Sequence, residues 1–134
     1  MRIQNWPRVI ADQIKEHSNI PFEWGKKDCC LAVADIVNLY AGFDIAEDFR
    51  GKYKTLLGSK RALKTYGQGD IKSTIDTMMT EIPVEEAGRG DLALVKTEAG
   101  ESLAILFSTR AWAMGENGMV ALTMDKVICT WRVE

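Results

Sequence analysis

Apolar positions follow a helical period early in the chain and an alternating one late in it. Trp6, Val9 or Ile10, and Ile14 share one helical face with Pro7 in the first turn, which predicts a helix from about Trp6 to His17. "SNIPFEWGKK" reads as a loop. Asp28 is a natural N-cap, and Cys29 to Ala41 read as a strongly apolar helix closed by Gly42. Its buried stripe is expected to be Cys29, Val33, Ile36, Val37 and Tyr40. "FDIAEDFRGKYKTLLG" is irregular. Ser59 is expected to cap a short helix, "KRALKTY", that stops at Gly67. Ile71, Ile75 and Met78 or Met79 repeat behind Asp70 as a further helix.

The period then becomes alternating. "DLALVKT" and "SLAILFS" read as strands joined by "EAGE", a hairpin turn containing Gly. "AWAMG", "GMVALTM" and "CTWRV" read as three more, the first two linked by "ENG" and the last preceded by a turn begun by Asp125. Helices followed by an antiparallel sheet of about five strands define an α+β class. No repeat or linker interrupts the chain, so residues 1–134 are expected to form a single domain.

Composition narrows the function. The net charge of -2, from 17 Lys and Arg against 19 Asp and Glu, gives no electrostatic case for a nucleic-acid partner or an anionic membrane. No apolar run is long enough for a membrane span. "MRIQNWPRVIADQIKEH" turns amphipathic at once and has no signal-peptide core, so synthesis in the cytoplasm is expected. Three cysteines without framework spacing suit a reducing compartment.

The candidate chemistry sits in "FEWGKKDCCLAVADIV". A thiol at the first turn of a helix faces unpaired backbone N–H groups and the positive end of the helix dipole, both of which favour a thiolate. Cys29 is therefore the candidate nucleophile, against the plain alternative of a small buried apolar residue. Cys30 points about a quarter-turn away and reads as core. The spacing of Cys29, Cys30, Cys129 and His17 matches no zinc pattern, and no motif calls for a cofactor. A cysteine nucleophile needs a base, usually histidine. The one histidine, His17, ends the first helix and reads first as a dipole partner there. "GRGD" reads as a Gly turn feeding a strand, and "GQGD" lacks the context of a phosphate loop.

The order of "WGKKDC" (24–29), "ADIV" (34–37) and "GDLALV" (90–95) resembles the NlpC-type papain-like cysteine peptidases that cleave bacterial cell-wall peptides. "RGKY" (50–53), the helical segment from Gly58 to Gly67, "RGD" (89–91), "SLAILF" and "TWRV" (130–133) extend the likeness to a phage and prophage branch of that superfamily placed among tail genes. The resemblance implies a papain-like NlpC-type fold, with N-terminal helices packed on the C-terminal sheet. It puts the family's nucleophile on Cys29 and its Asp-Cys pair on Asp28 and Cys29. It puts the family's histidine position on Ser102 or its neighbour in "ESLAILF", and "RAWAMGE" offers no histidine for the orienting residue. Ser102 cannot serve as a base near neutral pH, and the adjacent Glu101 would need a raised pKa and the right direction.

The expectation is thus a non-catalytic structural or assembly protein of a phage tail. It is made in the host cytoplasm and carried in the virion, and its partners are other tail proteins. The alternative is a tail-carried peptidase acting on cell-wall peptide, with a non-standard or partner-supplied base. A bacterial intracellular thiol enzyme of the superfamily is the third reading.

Overall fold

The computed structural model describes residues 1–134. Four α-helices, α1 (Trp6–His17), α2 (Leu31–Ala41), α3 (Leu56–Tyr66) and α4 (Ile71–Asp76), precede one antiparallel sheet. Its strands are β1 (Glu81–Ile82), β2 (Leu92–Thr97), β3 (Gly100–Phe107), β4 (Arg110–Gly115), β5 (Gly118–Leu122) and β6 (Val127–Trp131). Their order across the sheet is β1-β6-β2-β3-β4-β5. The class is α+β, as the change of period predicts.

α1 has the predicted bounds, with Pro7 in its first turn and Ile10, Ile14 and His17 buried. α2 buries Leu31, Ala32, Val33, Ala34, Ile36, Val37, Tyr40 and Ala41, so it is apolar almost all round and lies inside the molecule. Gly42 ends it in the left-handed conformation, φ +78°. Three helix boundaries differ from the sequence reading, one of them the end of α4, which stops at Asp76, short of Met78 and Met79. The regular turns of α2 start at Leu31 and not Cys29, although Asp28 still makes the capping bonds. α3 starts at Leu56 because Thr55, not Ser59, is the cap: Thr55 Oγ1 accepts from Gly58 N at 3.0 Å. Ser59 lies inside the helix and returns its hydroxyl to Leu56 O at 2.6 Å, a bond that lets a serine sit within a helix. Asp70 caps α4 as expected, accepting from Ser73 N at 2.7 Å.

The sheet has six strands where five were expected. β1 pairs only Glu81 and Ile82 with β6, and two residues carry no readable alternation. β2 and β3 form the predicted hairpin, Thr97 opposite Gly100. Alternate residues divide the sheet into two faces. Leu92, Leu94, Leu103, Ile105, Cys129 and Trp131 join the helices in the main core. Ala93, Val95, Ala104, Leu106, Ala111 and Ala113 form a second cluster, flanked by Leu122, Met124 and Val127. No helix is long and apolar enough to cross a membrane.

"GRGD" is a structural corner. Asp91 is buried and accepts from Arg2 Nη2 (2.9 Å), Gly88 N (3.0 Å) and Val133 N (3.1 Å), tying both chain ends to the start of β2.

Candidate functional site

The cysteine turn hangs on Asp28. This side chain is fully buried, and each of its oxygens takes two hydrogen bonds. Oδ1 accepts from Cys30 N (3.0 Å) and Leu31 N (2.9 Å), the bonding pattern of an N-cap. Oδ2 accepts from Gly25 N (3.0 Å) and from the Tyr53 hydroxyl (2.6 Å). Burial first, and the bond to Asp28 second, push the Tyr53 phenol far above its ordinary range, so it stays a donor. Tyr53 closes "RGKY", a stretch that carries the family resemblance but no chemical role in the sequence. Its contact spans 25 residues of chain and leaves no local signal.

The Trp-Gly turn is shaped for this carboxylate. Gly25 has φ +83°, and a Cβ there would stand 2.3 Å from Tyr53 O, inside contact distance of backbone that cannot swing aside. Gly25→Ala should therefore lower stability by about 2 kcal/mol, from strain plus displacement of Tyr53 from Asp28. Urea denaturation of the variant beside wild type measures this; an unchanged midpoint would mean that the turn re-forms without the left-handed residue.

Cys29 meets β3 through its backbone. β4 pairs only with Ile105, Leu106 and Phe107, which leaves the earlier edge of β3 open. There Cys29 O accepts from Leu103 N at 3.0 Å and from Ser102 Oγ at 3.1 Å. Ser102 is 2% exposed and its single hydroxyl proton is shared between Cys29 O and Leu103 O, the latter at 2.9 Å. So Asp28, Cys29 and Ser102 do come together, but Ser102 holds the cysteine's carbonyl and offers its sulfur no base. Glu101 is exposed and lies opposite Lys96 in the sheet.

The two half-buried thiols of Cys29 and Cys30 are 4.0 Å apart. The bond from Cys29, then burial, raise the Cys30 thiol well above its usual value and keep it protonated. Beside them is a cavity of about 80 Å³. Its wall is mostly apolar and includes Leu31, Ala34, Phe49, Leu63, Ile75 and Leu103. It lies under the covering segment formed by α3, α4 and the chain that leads to them.

His17 is committed elsewhere. Its Nδ1–H donates to Gln13 O at 2.9 Å, and Nε2 accepts from Lys27 Nζ at 3.2 Å. Lys27 is held in turn by Asp35 (2.7 Å), Asp35 by Arg50 (2.7 Å) and Arg50 by Asp44 (2.6 Å). Lys27, Asp35 and Arg50 went unread in the sequence because the chain of ion pairs joins α1, the Trp-Gly loop, α2 and the segment after it. No group of three or more His, Cys, Asp or Glu side chains is placed to hold a metal ion.

A family model described as "Domain of unknown function (DUF6950)" matches residues 1–133. Comparison with curated proteins gives no match. Among solved structures, the chain is similar to the NlpC/p60 domain of the peptidoglycan hydrolase SagA, with a TM-score of 0.57 and 16% identity over 94% of this chain and 97% of that one. It is also similar to a Staphylococcus aureus protein described as similar to lipoprotein, NLP/P60 family, with a TM-score of 0.57 and 18% identity. That match covers 99% of this chain but 43% of the other, so the chain spans less than half of that protein. At these identities the likeness is one of fold, and the fold is the papain-like NlpC type.

Proposed function

We propose that the chain, which belongs to the DUF6950 family, is a non-catalytic assembly protein of a phage tail built on a degenerate NlpC-like fold. The observation that carries the non-catalytic part is the bonding around Cys29. Amide hydrolysis by a thiol needs a base for the nucleophile and a proton donor for the leaving amine. The strand residues that meet Cys29 are Ser102 and Leu103, and both bond the cysteine's carbonyl. Both nitrogens of the sole histidine are bonded to Gln13 and Lys27. What remains of the site is architecture: Asp28 caps a buried helix, and Cys29 joins it to the sheet.

The tail role is supported by the resemblance of "RGKY", "RGD" and "TWRV" to the tail-gene branch. On this reading the protein is made in the host cytoplasm and carried in the virion, against other tail proteins. Exposed apolar side chains suited to such contacts include Leu56, Leu57 and Tyr66 on α3. The alternative, a tail-carried peptidase acting on cell-wall peptide, draws on the cavity beside Cys29 and on the fold shared with a peptidoglycan hydrolase domain.

A phage carrying Cys29→Ala separates the two readings. The substitution should cost about 1 kcal/mol through a small cavity and leave the fold intact. We expect complete tails and wild-type infection titres. Complete tails with lost infection would favour the peptidase.

A further inference from the structure

We propose that Cys29, Cys30 and the cavity beside them form one binding site for thiophilic trivalent centres that carry an apolar arm, with trivalent organoarsenicals as the fitting class. This goes beyond the assembly role and is independent of whether the chain cleaves peptides.

The sulfurs are 4.0 Å apart. Two bonds of about 2.3 Å at one pyramidal trivalent centre, about 100° apart, span about 3.5 Å, so side-chain rotations that bring the sulfurs about 0.5 Å closer let one atom bond both. Closure to a disulfide is opposed by the backbone. Adjacent Cα atoms are about 3.8 Å apart, short of the roughly 4.4–6.8 Å of ordinary disulfides, so ring closure must turn the intervening peptide plane. That peptide is fixed on both sides: its carbonyl takes Ser102 Oγ and Leu103 N, and its N–H donates to Asp28. The pair is held as an open dithiol.

The surroundings select among soft centres. Zinc wants four N, O or S ligands. No third protein ligand is placed for one, and each Asp28 oxygen already accepts two hydrogen bonds. The centre must therefore bring its own third bond. The space for it is apolar, and the polar groups at its edge are engaged: Tyr53 with Asp28, Thr74 with Asp70 O, Ser59 with Leu56 O. A carbon arm fits where a polar one would lose its water without replacement.

The reaction balances without an oxidant. An arsenic(III) oxide, R–As=O, exchanges its bonds to oxygen for two As–S bonds. The two thiol protons leave with that oxygen as one water, and arsenic stays trivalent.

The test uses phenylarsine oxide and inorganic arsenite on the whole folded chain, read by intact mass spectrometry. We expect one phenylarsine per chain in wild type and Cys129→Ser, and its loss in Cys29→Ser and in Cys30→Ser. Ala46→Leu, which fills part of the cavity, should weaken the phenyl reagent and spare arsenite. Maleimide mapping of treated wild type gives an answer that needs no variant to fold: Cys29 and Cys30 should be protected. Absence of an adduct, unprotected Cys29 and Cys30, an adduct surviving both serine variants, or equal effects of Ala46→Leu on the two reagents would overturn the proposal.

Discussion

Asp28→Ala should cost about 4 kcal/mol, a large share of the stability of a domain this size. The loss has three parts. The capping bonds to Cys30 N and Leu31 N disappear at the start of the most buried helix. Gly25 N loses its acceptor in the preceding turn. The Tyr53 hydroxyl is left pointing at empty, desolvated space. An unsatisfied buried donor costs about 1 to 3 kcal/mol, and entry of water keeps the four from adding in full. Asp28→Asn should lose roughly half as much, since an amide oxygen can still cap the helix while its NH2 faces two donors. Tyr53→Phe should lose only about 1 kcal/mol. Urea denaturation with a constant slope measures all three. An Asp28→Ala midpoint within error of wild type would show that the carboxylate does not hold the turn.

Trp131→Ala should cost a similar amount, about 4 kcal/mol, for a different reason. Trp131 is fully buried in β6, between β1 and β2, and is the largest of the completely buried side chains. Its removal leaves a void that the paired strands cannot close. Its Nε1 also donates to Asp76 Oδ1 at 2.8 Å. That bond is the minor part, because the Asp76 side chain is 37% exposed and can return to water. Trp131→Phe, which keeps a ring and loses the donor, should therefore cost about 1 to 2 kcal/mol. If the phenylalanine variant were as damaged as the alanine one, the hydrogen bond and not the packing would dominate.

The sequence was most readable where one local rule acts alone. α1 has Pro7 at its start and a clean apolar stripe, and both its ends match the expected positions. The α+β division follows from the change of period. Errors arose where two signals competed. Thr55 and Ser59 are both plausible caps, and only the backbone shows which one meets a free N–H. β1 is too short to alternate. At the site, Cys29 and Ser102 were paired by resemblance, yet their contact runs through the cysteine's carbonyl, which no side-chain pattern reveals. Tyr53 on Asp28 and Lys27 on His17 were invisible because each joins segments that only folding brings together.

We propose structural partners for Cys29 and no catalytic ones. Purified wild type and Cys29→Ala incubated with cross-linked peptidoglycan, with released amines counted against a protein-free blank, test this directly. The bonding around Cys29 predicts blank-level release from both proteins. Release by wild type that disappears in Cys29→Ala, with the variant shown to be folded, would contradict it.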